Sequence, residues 1–110
     1  MEKSKIETYL GFCIRSRKII FGVEMIERQK KGVSLLVIDG GIGKNSLKSI
    51  LQAQEKLHCP LYITDEGMLG AWLYRPAVKA VAILDNHLAS AMIKSAESEP
   101  KFKLYSGGNN

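Results

Sequence analysis

The chain has 110 residues, 45% hydrophobic and 25% charged, the balance of one folded domain rather than of a disordered, collagen-like or coiled-coil chain. Lys and Arg number 16 against 11 Asp and Glu, for a net charge of +5 and a pI near 9.3, which favours a polyanionic partner. No apolar run approaches the roughly 20 residues of a membrane helix, and the opening MEKSKIETYLGF carries charges where a signal peptide is apolar, so a cytoplasmic location is expected.

In chain order, Ile6, Tyr9, Leu10, Cys13 and Ile14 recur at the spacing of an amphipathic helix, with Ser4 placed to cap it. Lys18 to Phe21 is β-branched and punctuated by Gly22, which predicts a short strand. A second helix is expected from Val23 to Lys31, ended by Gly32, with Met25 and Ile26 turned inward. Val33 to Ile38 is almost wholly apolar, as a strand buried on both faces reads. The glycine-rich stretch Asp39–Gly43 follows, and then a helix from about Asn45 to Leu57. Pro60 opens a strand at Leu61–Ile63. Glu66 to Leu73 predicts a short helix and Val78 to Leu84 another buried strand. Asn86 is placed to cap a last helix carrying Leu88, Ala89, Met92 and Ile93. Residues 101–110 read as a polar tail, frayed from Ser106 onward.

Helices and strands alternate through short connections. This order predicts an α/β fold, a three-layer α/β/α sandwich with a small central sheet of about four strands, formed by residues 1–100 as a single domain.

Little in the chain suggests catalysis. Gly40-Gly41-Ile42-Gly43-Lys44 lies between a strand and a helix, where phosphate is often held. A P-loop, however, requires a glycine where Ile38 stands and a hydroxyl residue where Asn45 stands. His58 and His87 have no carboxylate beside them, Asp65 and Glu66 are merely adjacent, and no serine occupies a nucleophile elbow. Cys13 reads as a buried apolar residue, and Cys59, beside His58, as a helix end running into a strand rather than a metal ligand. No catalytic residue, metal or cofactor is expected. Asp39 and Asp85 each follow a buried strand, where they either line a ligand site or cap the next turn.

The cations are clustered: Arg15, Arg17 and Lys18; Arg28, Lys30 and Lys31; Lys44 and Lys48. Tyr74-Arg75-Pro76 sets an aromatic beside a cation in a loop, suited to the unstacked bases of irregular RNA. A protein-interaction or small-ligand module built on the Gly40–Gly43 loop, Asp39 and Asp85 is the competing expectation.

Several stretches in sequence order carry a family resemblance. They are Leu10-Gly11-Phe12 through Arg17-Lys18, Gly22 with the segment closing Lys30-Lys31-Gly32, Leu35 to Asp39, Asn45 to Lys48, Cys59-Pro60-Leu61, Glu66 to Gly70, and Val78 to Asp85. Over about residues 5–95 the chain resembles the ribosomal L-seven-Ae superfamily of kink-turn RNA-binding proteins, and within it the small bacterial YlxQ-like and YbxF-like ribosomal proteins. The resemblance implies a non-enzymatic, ribosome-associated protein that binds structured RNA; a monomer is expected. It implies contacts from Gly22, Val23, Glu24, Arg28 and Lys31, and from the loop holding Tyr74 and Arg75. Lys44 is added as a phosphate contact. Val23 stands where the family carries asparagine, and Asp65-Glu66 where it often carries a lysine.

Overall fold

In a computed structural model that describes residues 4–107, α1 spans Lys5–Arg15. The Ser4 hydroxyl accepts from the Ile6 N–H, and Ile6, Leu10 and Cys13 form the buried stripe. A three-residue strand β1 (Ile19–Phe21) leads into α2 (Val23–Glu27). Then come β2 (Leu35–Asp39), buried at every position, and α3 (Lys44–Leu57). β3 (Leu61–Thr64), α4 (Met68–Leu73) and β4 (Ala80–Ile83) follow. The chain closes with α5 (Asn86–Ser95), a 3-10 turn at Ala96–Ser98, and β5 (Phe102–Ser106).

The five strands form one sheet in the order β1-β4-β2-β3-β5. The parallel pair is β2 with β3, joined through α3; the other pairings are antiparallel. Side chains alternate across β2. Leu35 and Val37 face a cluster built with Ile6 and Leu10 of α1, Leu69 and Trp72 of α4 and Met92 of α5. Leu36 and Ile38 face Ile26 of α2 and Ile50, Ala53 and Leu57 of α3. The molecule is thus the expected sandwich, with helices on both faces of the sheet and the first and last helices in the same covering layer.

Several boundaries differ from expectation: β2 runs Leu35–Asp39 rather than Val33–Ile38, β4 runs Ala80–Ile83 rather than Val78–Leu84, and four further differences have a physical reason. The sheet has five strands, not four, because the supposed tail supplies β5, paired with β3. Phe102 is fully buried and stacks on Tyr62 with ring centroids 4.8 Å apart, so one aromatic docks a strand whose next three residues are exposed. Gly108 to Asn110, included in the expected fraying, lie outside the described residues. α2 stops at Glu27 rather than Lys31. Ile26 is its one fully buried residue, and Gln29, Lys30 and Lys31 offer no second apolar contact one turn on to hold another turn against the sheet. α4 starts at Met68, after Gly67 at φ +83°, rather than at Glu66. Asp85, not Asn86, caps α5: its carboxylate accepts from the Leu88 N–H at 2.9 Å.

If β5 belongs to the folded core, Phe102→Ala will cost about 3–5 kcal/mol, the range for emptying a buried aromatic site. Leu104→Ala, on the same strand but half exposed, will cost well under about 1.5 kcal/mol. Urea unfolding of both variants measures the contrast; equal, small losses would return residues 102–106 to the status of a tail.

Candidate nucleic-acid interface

The registers bring the C-terminal ends of β1, β2 and β3 together with the N-terminal ends of β4 and β5. Five loops therefore gather at this end of the sheet. They hold Gly22, Asp39–Gly43, Asp65–Gly67, Arg75–Lys79 and Lys101.

Gly22 leaves β1 at φ +93°, a conformation disfavoured for residues with a Cβ, and its N–H donates to the Ala80 carbonyl at 2.9 Å. Next to it, the Arg75 guanidinium lies 4.4 Å over the Phe21 ring. Such an exposed cation–π contact contributes about 0.5–1 kcal/mol. Its larger consequence is geometric: it fixes the loop after α4 beside the start of α2, although about fifty residues separate them. The loop is tightly seated as well. The Arg75 N–H donates to the Gly70 carbonyl at 2.9 Å, and a Cβ at Gly70 would stand 2.9 Å from the Pro76 Cα.

Tyr74 is 77% exposed and occupies the left-handed region at φ +59°. Its hydroxyl donates to the Glu7 carboxylate at 2.6 Å, and that hydrogen bond, with the nearby negative charge, raises the phenol pKa above its ordinary value. The ring projects from the surface with its orientation held from α1.

Asp39 is the one acidic side chain of this end with no solvent exposure. Its Oδ2 accepts from the N–H of Gly41 at 2.8 Å and of Gly67 at 2.9 Å, and its Oδ1 accepts from the Leu69 N–H at 3.0 Å. The Thr64 hydroxyl lies 3.3 Å from Oδ1, and the Lys79 ammonium 3.7 Å from Oδ2. Burial works against the ionised form, but the three backbone donors and the lysine outweigh it and hold the carboxyl below the usual carboxylate range. Asp39 therefore occupies itself internally, and Asp85 is spent on its helix. Asp85 also follows the C-terminal end of β4, at the opposite end of the sheet, so the two strand-end carboxylates do not meet at the Gly40–Gly43 loop.

The expected contact residues divide by position. Gly22, Val23, Glu24, Lys44, Tyr74 and Arg75 belong to the Asp39 end, with Glu24, Lys44, Tyr74 and Arg75 exposed. Arg28 is set back from this end: it follows α2, whose last carbonyl, that of Glu27, accepts from Lys56 in the last turn of α3, and its guanidinium folds back to 3.8 Å from the Met25 Sδ. Lys31 is not brought there. It lies in the segment that descends to the opposite end of the sheet, where the Ser34 N–H meets the Ile83 carbonyl. Arg17 and Lys18 share that opposite end, since Lys18 precedes β1 and its carbonyl accepts from the Leu84 N–H. Cations that look alike in sequence thus form two groups at opposite ends of the sheet.

Lys79 and Lys101 join the Asp39 end without having been expected. Lys79 was hidden as one charge among the apolar residues Val78 to Leu84, and Lys101 stood in the supposed tail. Asp65 and Glu66 are exposed at the same end and give its β3 side an acidic border. The buried thiols of Cys13 and Cys59 are pushed up to about 11 by burial, which makes them poor nucleophiles and ligands. Among the described residues no group of three His, Cys, Asp or Glu side chains is disposed to hold a metal, and no helix is long and apolar enough to cross a membrane.

No protein-family model matches the chain, and no curated protein matches it. Solved structures do match. A protein of unknown function from Bacillus halodurans superposes with a TM-score of 0.75, at 17% identity, over 86% of this chain and 99% of its own. The likeness establishes a shared α/β fold and carries no function with it.

Because the Asp39 carboxyl is depressed, its contribution is complete above the unfolded value of about 3.9 and is lost as pH falls through the folded value. Asp39→Asn places an amide NH2 where backbone donors converge. It will cost about 2–4 kcal/mol at pH 7, in line with losing hydrogen bonds to a charged group. The gap between wild type and variant will narrow below pH 4, as followed by urea unfolding at stepped pH. A gap independent of pH would show that the ionised carboxylate is not what stabilises this end.

Proposed function

We propose that the protein is a non-enzymatic RNA-binding protein that takes structured RNA on the Asp39 end of its sheet, with ribosomal RNA as the class the family resemblance points to. The observation that carries the reading is the Arg75 guanidinium seated on Phe21, immediately before Gly22. That contact joins the two segments in which the resemblance places its RNA contacts, and it is independent of the resemblance itself. The net charge of +5 and the exposed Lys44 and Arg75 supply the long-range attraction.

In this reading Lys44 and Arg75 meet phosphates, while Arg28, set back behind α2, serves only the long-range attraction. The Gly22 backbone admits close approach, Tyr74 offers a ring to an unstacked base, and Glu24 accepts from base amino groups. Asp65 and Glu66 repel phosphate, which confines the RNA to the β1, β4 and β2 side. A plain duplex, which presents continuous phosphates and no unstacked base, is the poorer ligand.

Binding of a kink-turn RNA and of a plain duplex at two salt concentrations tests this. Affinity will fall steeply with salt. Arg75→Ala will weaken binding and lower the salt slope by about 1, while Lys31→Ala, on the opposite end, will change neither. Glu24→Ala will narrow the difference between the two RNAs. A wild-type protein that binds neither RNA at low salt ends the RNA reading. Salt-dependent binding without preference would leave a generic RNA binder.

A further inference from the structure

The segment from Gly67 to Lys79, which contains α4 and the Tyr74–Arg75 loop, is held at both of its ends by a single residue elsewhere in the chain. α4 has a glycine, Gly67, at its N-cap position and no side-chain cap of its own. The missing acceptor comes from β2: Asp39 takes the Gly67 and Leu69 N–H groups, including one that a capping serine or aspartate would ordinarily take. At the other end of the segment, the Asp39 backbone N–H donates to the Lys79 carbonyl at 3.0 Å, and the Asp39 carboxylate faces the Lys79 ammonium at 3.7 Å. The Lys79 side chain is 41% exposed, so this ion pair joins a wholly buried carboxylate to a residue still in contact with solvent.

We propose that Asp39 is the positioning residue of the Tyr74–Arg75 contact loop, capping α4 from a neighbouring strand and closing the Gly67–Lys79 segment into a clamp. Asp39 touches no RNA in this account, and its role rests on the RNA-binding reading given above. The clamp limits the conformations from which Arg75 must be selected, so the ordering cost of the loop is met in the free protein rather than on binding. Lys79 serves the clamp rather than the phosphates. The groups facing the carboxylate are Gly41, Thr64, Gly67, Leu69 and Lys79; the last three belong to the clamped segment, and Gly41 and Thr64 hold the carboxylate from the β2 and β3 ends.

Native-state hydrogen exchange and RNA binding, measured on the full chain, separate the two layers of the argument. In Asp39→Asn, the amides of Gly67 and Leu69 will exchange at least about tenfold faster, the size expected when a cap of this kind is lost. The Kd for RNA will rise about tenfold with an unchanged salt slope, because no phosphate contact is deleted. Ile50→Val, a core variant on the buried face of α3, controls for general destabilisation and will leave the Kd alone. Unchanged exchange at Gly67 and Leu69 overturns the clamp, whether or not the protein binds RNA. Faster exchange with an unchanged Kd overturns the positioning role. If the wild type binds no RNA, the function fails and the positioning role with it, while the exchange data still judge the clamp on its own.

Should Asp39→Asn not fold, Lys79→Met keeps the aliphatic stem and removes the cation. Faster exchange between Tyr74 and Lys79, with a weaker Kd and an unchanged salt slope, supports the clamp. A salt slope lowered by about 1 with unchanged exchange makes Lys79 a direct phosphate contact and overturns its assigned part.

Discussion

A carboxylate removed from water is expensive unless every oxygen is satisfied, and Asp39 is satisfied by parts of the chain that have no other reason to meet. It stands at the end of β2, the central strand, on the face where Leu35 and Val37 pack beneath α1, α4 and α5. Two strand ends, a glycine-rich turn and the start of a helix converge on it. The hydrophobic layers fix which elements stack, but apolar contacts are non-directional and leave loops free to settle in many ways. Hydrogen bonds to one buried anion are directional. At this end of the sheet they convert a packed arrangement into a specific one.

The candidate interface inherits its character from that convergence. The 67–79 segment is short, carries one and a half turns of helix, and would be weakly held by packing alone. It is secured by Leu69, Trp72 and Leu73 from below, by Asp39 at its ends, and by Arg75 on Phe21 from the side. Acidic and basic residues then divide the surface, with Asp65 and Glu66 on one side and Lys44 and Arg75 on the other. A net positive charge by itself would attract any polyanion; the acidic border gives that attraction a direction.

The fold was largely legible because its signals are periodic. The stripe from Ile6 to Ile14 and the apolar runs of β2 and β4 each state their environment in consecutive residues. What escaped was carried by single residues. Phe102 is the one buried side chain of β5, and one aromatic between two lysines leaves no pattern. Gln29 to Lys31 are good helix formers, so nothing local ended α2; the sheet did, by offering them no apolar contact. The site was half legible. Tyr74-Arg75 stood out by composition and Gly22 only through the family resemblance, but the division of the cations between two ends follows from strand direction, which periodicity does not encode. The role of Asp39 had one visible signal, a lone acid closing a wholly apolar strand. Apart from Gly41, its partners lie 25 or more residues away, and Gly67 announces a cap by lacking one.

The pairing of β1 with β4 has a consequence in time. Ile19 to Phe21 find their partners at Val81 to Ile83, about sixty residues later in the chain. During synthesis, α1 and β1 emerge first and must wait, with Ile6, Leu10 and Cys13 uncovered, until most of the domain has been made. The neighbouring β2 and β3 can pair much sooner, through α3. Long-range closure of this kind is slow to nucleate. The α1–β1 segment, made before its partner strand, is therefore expected among the last parts of this domain to be locked, and its apolar stripe is a surface open to premature association.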